Sequence, residues 1–298
     1  MSIIINMYNV IVNPTAGNNN ASRAIKKVAK YLKSQNVEFL VFFPETANEV
    51  DSITTKLCKQ GEREFIVIGG DGTLSHFVNG LTDPSKINFG IIAAGKHNHF
   101  ARYLGIPKNP LMAIKNILEH PTIKIDYLKC NQYRALNLIS CGAIEMAENK
   151  YLTQDKDNKM LRRKILNSTL KTFEGLTLNI ESDNFTQKNK TYTSCAVCNG
   201  GFYGDNIYVS PLSNMHDGLA NLVTLEYIEN KRIKKDYAIV KQGKHIYKNP
   251  TSNSWATQIK VSSKHPFDTM IDGEIYQFDT LEINVIAKGL NIYTKPKD

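Results

Sequence analysis

Gly69-Gly70-Asp71-Gly72-Thr73 places three glycines around one carboxylate and one hydroxyl, directly after the apolar run 65–68. Such a turn suits phosphate. Its glycines admit positive φ and close backbone approach. Its N–H groups can then face phosphate oxygens, with a helix N-terminus behind them. Asp71 can hold Mg²⁺ through water or orient the turn, and Thr73 is placed to cap the following helix. Two further turns, Asn13-Pro14-Thr15-Ala16-Gly17 and Gly95-Lys96-His97-Asn98-His99, also follow apolar runs. Ligands of open α/β sheets bind outside the carboxyl ends of the strands, so the three turns together predict a phosphate-binding edge.

The third turn carries competing chemistry. Gly95-Lys96 lacks the preceding glycine spacing of a Walker loop. Lys96 can still pair with phosphate as a point charge. His97 and His99 could ligate a metal, with His76 approaching from the neighbouring turn, but no cysteine or carboxylate nearby completes the set. Cys195 and Cys198 form a lone C-x-x-C in a β-rich run, where positions three apart point to opposite faces. That spacing predicts a structural role.

The elements that must position these turns alternate. Runs 8–12, 39–43, 65–68 and 89–93 read as strands, the second as a continuous apolar run of the buried parallel type. Ile25, Val28, Ala29 and Leu32, then Ala47, Val50, Ile53 and Leu57, recur at helical spacing, and a further helix follows Pro110. Repeated strand–helix units predict a parallel sheet with helices on its faces. Beyond about residue 128, strand-like runs dominate, at 135–139, 176–180, 191–197, 220–227, 258–261 and 280–286. A polar stretch at 153–164 reads as a loop and helix start, and one helix is expected near 231–244. The fold class is therefore α/β plus β: a parallel-sheet domain over 1–128 and an antiparallel β-rich domain over 129–287, with 288–298 able to return to the first.

Composition narrows the partners. Of the 298 residues, 42% are hydrophobic and 22% charged, which fits one large or two ordinary globular domains. No signal peptide is visible, and no apolar stretch reaches the roughly 18 residues that span a bilayer. A cytoplasmic protein with no transmembrane segment is expected. The five cysteines are few and scattered, as in a reducing compartment. A net charge of +9, with clusters at Arg162-Arg163-Lys164 and at Lys231-Arg232 with Lys234-Lys235, suits a nucleotide or an anionic membrane surface. Without an aromatic–basic RNA-binding pattern or zinc-finger spacing, nucleic acid is not expected.

Five segments in order resemble the diacylglycerol kinase catalytic-domain family, whose superfamily includes sphingosine and ceramide kinases and soluble bacterial lipid kinases. They are NPTAG at 13–17, GGDGTLSHFVNGL from 69, GIIAAGKHNHFARYLGIP from 90, NGGFYGDNIYVSPLSNMHDGLANLVTLE from 199, and Asp272-Gly273-Glu274. The resemblance runs from about residue 8 to the C-terminus. It implies a nucleotide-binding α/β domain and a β-sandwich-like lipid-substrate domain, an architecture shared with NAD kinases. It implies a kinase that transfers the γ-phosphate of ATP, with Mg²⁺, to the hydroxyl of diacylglycerol or a related lipid in a cleft between the domains. It also implies peripheral association with a membrane surface.

By matched position, Asn13, Pro14, Thr15, Ala16, Gly17 and Thr46 would line the ATP site. Gly69, Gly70, Asp71, Gly72 and Thr73, with Gly95, Lys96 and Asn98, would surround its phosphates. Glu274 would be the base, with Asp272 beside it and Asp71 serving the transfer. Asp217, with the carbonyls of Asn214 and Leu219, would match a structural Mg²⁺ site, and Asp126 an acidic position joining the metal and water network. A homodimer is compatible with the sequence. This chain departs from the family pattern at Lys96, His97 and His99, at Ser75-His76, at Gly204-Asp205-Asn206 and at His216. Two alternatives therefore stand beside the active kinase: a silent lipid- or nucleotide-binding member of the fold, and an NAD kinase. The retained Phe-Ala-Arg and Leu-Gly-Ile-Pro segment speaks against the NAD kinase.

Overall fold

Apolar runs too short for helices can satisfy their backbone by pairing, and in the first part of this chain they pair in parallel. A computed structural model describes residues 7–154, 158–203, 207–227, 239, 242–247 and 250–295. The chain divides into two units, Met1–Ile125 with Lys288–Asp298, and Asp126–Ala287.

In the first unit, β1 (Tyr8–Val12), β2 (Phe39–Phe42), β3 (Glu64–Gly69) and β4 (Asn88–Ala93) form a parallel sheet in the order β4-β3-β1-β2. All of β1 is buried, as strands covered on both faces should be. β2 departs from the buried strand expected: it is the sheet edge, Leu40 is half exposed, and Phe43 beyond its end is 55% exposed. Hydrophobic content alone does not distinguish a central strand from an edge one.

Helices α1 (Ala16–Ser34), α2 (Ala47–Lys59), α3 (Asp71–Gly80), α4 (His99–Tyr103) and α5 (Pro110–Glu119) connect or follow these strands. α1 buries Ala21, Ala24, Ile25, Val28 and Leu32 at helical spacing. Asn109 caps α5 with Pro110 in its first turn. Phe77 of α3 packs between Phe65 and Phe89 of the sheet, at 5.4 and 5.1 Å between ring centroids. That packing fixes the helix behind the Gly-Gly-Asp-Gly-Thr turn.

The second unit is antiparallel. β5 (Thr122–Cys130) carries the chain into it. β6 (Tyr133–Ala135), β7 (Leu138–Gly142), β8 (Leu176–Ser182), β9 (Thr186–Cys198), β10 (Phe202–Tyr203), β11 (Ile207–Tyr208), β12 (Ala220–Glu226), β13 (Thr251–Ala256) and β14 (Gln258–Ile271) follow. β15 (Glu274–Tyr293) returns to the first unit, where Asn291 and Ile292 pair in parallel with Asn88 and Phe89. β9 pairs with β7, β8 and β12, and β14 with β7, β8 and β15. The β14–β15 register shifts between Ser262 and Phe267, across Pro266, which cannot donate to a ladder.

Two expectations for this unit need correction. The strand expected over 135–139 is two strands, because the backbone at 136–138 turns its N–H groups toward Asp272. Helix α6 (Ala143–Leu152) lies where the sequence reading placed no element. Its inner face, Ala143, Glu145, Ala147 and Tyr151, is built from small residues and a buried acid rather than a hydrophobic stripe. Helix α7 (Lys159–Thr172) takes up the helix start read at 153–164. The helix expected near 231–244 lies almost wholly outside the described residues, as do Lys231, Arg232, Lys234, Lys235 and Gly204-Asp205-Asn206.

Cys195 opposes Cys141 in register in one apolar cluster, while Cys198 belongs to another. Hydrogen bonding to Cys195 and burial hold the Cys141 thiol well above its ordinary pKa. All three are buried core residues.

Candidate functional site

The first unit fastens its three turns to one another. Asn13 follows β1, and its N–H bonds the Ile68 carbonyl of β3. Its side-chain amide donates to Thr73 Oγ1 at 3.1 Å, while its Oδ1 accepts from Thr15 N and Oγ1. Gly17, at φ +58°, lies so close to the third turn that a Cβ would fall 2.0 Å from the Ala94 carbonyl oxygen. Gly70 and Gly95 meet backbone to backbone, and a Cβ on Gly95 would lie 2.4 Å from Gly70 Cα. Asn98, itself at φ +51°, closes the third turn by accepting from Gly95 N and donating to Gly95 O. The two oxygens of Asp71 accept from His99 N and Phe100 N, at 3.1 and 3.2 Å.

These contacts revise individual roles. Asp71 orients the third turn rather than standing open in the second. Thr73 does not cap α3, which starts at Asp71 with Gly70 as N-cap; the buried Thr73 hydroxyl ties the second turn to Asn13. Gly69, Gly70 and Gly72 do not adopt positive φ. Gly69 and Gly70 serve close approach, and Gly72 is exposed with open space at its Cβ position. Pro14 accepts from Ser22 through its carbonyl, and the regular part of α1 follows the left-handed residues Gly17, Asn18 and Asn19. Thr46 caps α2 by accepting from Glu49 N. Lys96 is exposed on the third turn.

His97 and His99 stack ring on ring, 5.4 Å apart and nearly parallel. His76 instead pairs with Asp51 of α2 at 3.1 Å. Among the described residues no group of three His, Cys, Asp or Glu side chains could hold a metal. The histidine metal site is not supported.

The second unit gathers its candidate acids by a separate network. Asp272 and Gly273, at φ +48° and +104°, form the two-residue loop of the β14–β15 hairpin, with Ile271 paired to Glu274. Aspartate–glycine is a favoured pair for a loop needing two positive φ values. The Asp272 carboxylate accepts from the N–H groups of Leu136, Asn137 and Leu138, the last two at 2.9 and 3.1 Å. That charge-assisted cradle fixes the hairpin tip. Glu274 opens β15 and is exposed to solvent.

Asn199 joins this cradle to the loop before β12. Its side-chain amide donates to the carbonyls of Leu136 and Asp126, at 2.8 and 3.0 Å, and its N–H bonds the Asn137 carbonyl. Buried Asp126 receives Gly218 N at 2.7 Å, and its own N–H bonds the Met215 carbonyl. Within that loop Asn214 accepts from His216 N, and Asp217 from Leu219 N at 3.0 Å. Sequence reasoning singled out Asp126, Asp217 and Asp272 but missed Asn199 and the N–H groups at 136–138 that connect them. The only available signal was that Asn199 begins the Asn-Gly-Gly run, where Gly200 and Gly201 each lack room for a side chain.

For Mg²⁺, Asp217 with the carbonyls of Asn214 and Leu219 offers one exposed carboxylate and further oxygen donors on a loop pinned by Asp126. Hard oxygen ligands completed by water suit that ion, so the donor chemistry fits. Glu145 of α6 is a second acid that sequence reasoning missed. It is buried and receives Ser140 Oγ at 2.6 Å, and burial pushes its pKa up to about 7.

Comparison with known proteins bears on the whole chain. Residues 7–130 match the model described as diacylglycerol kinase catalytic domain, and residues 152–294 that described as YegS C-terminal NAD kinase beta sandwich-like domain. The chain is 27% identical over 287 residues to "Putative lipid kinase YtlR" of Bacillus subtilis (strain 168), covering 89% of this chain and 92% of that protein. It is 24% identical over 307 residues to a diacylglycerol kinase of Staphylococcus carnosus (strain TM300), covering 97% and 95%. Among solved structures, a diacylglycerol kinase from Bacillus anthracis str. Sterne aligns with a TM-score of 0.73 at 21% identity, over 99% of each chain. An NAD kinase from Archaeoglobus fulgidus in complex with ATP aligns at 0.52 and 12% identity, covering 97% of this chain and 93% of that one, a likeness of fold alone. No helix among the described residues is long and apolar enough to cross a membrane.

Proposed function

The chain belongs to the diacylglycerol kinase catalytic-domain family, a family of kinases, and we propose that it transfers the γ-phosphate of ATP to the hydroxyl of a lipid, diacylglycerol or a close relative. The observation that carries this reading is the mutual fastening of the turns at 13–17, 69–73 and 95–98. Phosphoryl transfer needs positioning and electrostatic stabilisation more than covalent chemistry from the protein. Turns locked by Asn13, Asp71 and Asn98 are already positioned before ligand arrives.

In this reading the three turns hold the triphosphate, with the exposed Lys96 supplying a point charge to its oxygens. Thr46 keeps α2 capped at the border of the nucleotide site. Glu274 accepts the proton of the lipid hydroxyl as the new P–O bond forms and the bond to the leaving ADP breaks. Asp272 positions that hairpin and does not itself take the proton. Asp217 and the carbonyls of Asn214 and Leu219 would hold the structural Mg²⁺, which when bound would steady the loop before β12.

The test is labelled-ATP transfer by purified protein to a panel of lipids in mixed micelles with Mg²⁺. Wild type is expected to label at least one lipid, and Glu274→Gln to lose at least about 100-fold in kcat, within the usual range for general base loss. Lys96→Thr is expected to raise KM for ATP about tenfold, the loss of one charge-assisted contact. A gain of activity in Lys96→Thr would instead mark the turn as impaired. No transfer to any lipid by protein that still binds ATP in calorimetry would leave the silent-member reading in its place. Conversion of NAD to NADP would favour the NAD kinase.

A further inference from the structure

The turns at 13–17, 69–73 and 95–99 follow three adjacent strands and hold one carboxylate, Asp71, and one ammonium, Lys96. Mg²⁺ at a nucleotide is usually held by one or two carboxylates together with phosphate oxygens and water. Asp71 is poorly disposed to that task. Its two oxygens accept from His99 N and Phe100 N, at 3.1 and 3.2 Å. The positive ends of two N–H dipoles therefore converge on the carboxylate and oppose a cation brought beside it. The amide and hydroxyl oxygens of the turns are engaged as well. Asn13 Oδ1 accepts from Thr15, Thr73 Oγ1 from Asn13, and Asn98 Oδ1 from Gly95 N.

Neighbouring acids do not supply a replacement. Glu49 accepts from Glu45 N at 2.8 Å, and Asp51 faces His76 at 3.1 Å. Glu45 is exposed beyond β2, the edge strand. α3 carries no acid after Asp71. The cations run the other way. Lys96 is exposed on the third turn. The first charged residue after the first turn is Arg23, and the first after the third is Arg102, both exposed. The positive charge of this edge is built into its side chains.

We infer that this edge takes the nucleoside triphosphate without a metal ion, with Lys96 supplying the charge that Mg²⁺ would otherwise bring. A metal-free triphosphate carries roughly four negative charges and its Mg²⁺ complex roughly two, so the bare anion gains about twice as much from a fixed ammonium. The inference rests on the reading of the three turns as the nucleotide site and concerns the form of nucleotide they select. It is separate from the structural Mg²⁺ assigned to the loop before β12.

The test is calorimetry of ATP binding to the full chain, in EDTA and in excess Mg²⁺. Wild type is expected to bind at least as tightly in EDTA as in Mg²⁺. Lys96→Thr should weaken binding about tenfold in Mg²⁺, the loss of one charge-assisted contact. In EDTA its loss should reach about 100-fold, because coulombic energy scales with the charge of the ligand. Asp71→Asn should weaken binding by the same factor in both conditions, as befits a residue that holds the turn; a metal ligand would lose affinity in Mg²⁺ alone. Circular dichroism confirms that the variants fold. Weaker wild-type binding in EDTA, an equal loss from Lys96→Thr in both conditions, or a loss from Asp71→Asn confined to Mg²⁺ overturns the inference, even if lipid is phosphorylated. No ATP binding in either condition removes the nucleotide site and the inference with it. Metal-free binding that depends on Lys96 upholds the inference even if no lipid accepts phosphate, so the two readings fail separately.

Discussion

At the residue scale, Asp272 and Glu274 stand two positions apart and have different tasks. Asp272 is committed to three backbone N–H groups and a positive φ, so its charge is spent on holding a turn. Glu274 is exposed at the start of β15. Asp272→Asn keeps the shape but weakens acceptor bonds that are each worth about 1.5–3 kcal/mol when charged. A stability loss of about 2 kcal/mol is expected, together with a fall in kcat. Glu274→Gln should leave the denaturant midpoint within error, because surface substitutions typically cost less than about 0.5 kcal/mol, while kcat collapses. Parallel urea unfolding and steady-state kinetics on the two variants check this. Equal destabilisation by both would remove the division of labour. The tripeptide Asp-Gly-Glu was legible as a turn from its residue types, but the cradle was not: its donors are backbone groups of Leu136, Asn137 and Leu138, more than 130 positions away.

At the element scale, the strand–turn–helix units of the first unit were legible because each carries its signal locally. The apolar run, the glycine turn and the helical stripe lie within one stretch of about 30 residues, the length of a βαβ unit. The edge position of β2 and the existence of α6 were not legible. The first depends on which strands happen to pair with it, and the second on a helix face made of alanines and a buried acid. The Asn199 network belongs to the same class, since it joins β5, the 136–138 connection and β9 across the unit. Asn199→Ala would leave the Leu136 and Asp126 carbonyls without their donor. The expected loss is about 2–3 kcal/mol of stability, from two buried acceptors. The loop pinned by Asp126 should also loosen, so the apparent affinity for Mg²⁺ should fall several-fold while ATP affinity, read by calorimetry in the absence of metal, stays unchanged. Stability lost with Mg²⁺ dependence intact would show that Asn199 holds the fold and not the loop.

At the scale of the whole molecule, the α/β-plus-β architecture was legible from the change of periodicity after residue 128. Its electrostatic balance was not, because net charge says nothing of which charges are buried. Glu145 is the instance with a measurable consequence. Burial holds its carboxyl protonated up to about pH 7, while the unfolded chain ionises it near the ordinary value of 4.5. The folded pKa is the higher of the two, so the contribution to stability is full below about 4.5 and declines as pH rises. It is gone once pH has passed the folded pKa of about 7. A displacement of this size corresponds to about 3 kcal/mol between the two limits. Glu145→Gln keeps an acceptor for the Ser140 hydroxyl and cannot ionise, so this component should vanish from its stability profile. Wild type and variant should therefore be unfolded by urea at several pH values between 4.5 and 8. The stability of wild type relative to Glu145→Gln should drop across that interval and level off above about pH 8, beyond the titration range of the folded carboxyl. A constant difference at every pH would mean that water or a rearranged α6 solvates the carboxylate, and that the N-terminal turn of this helix is not the dry environment its burial describes.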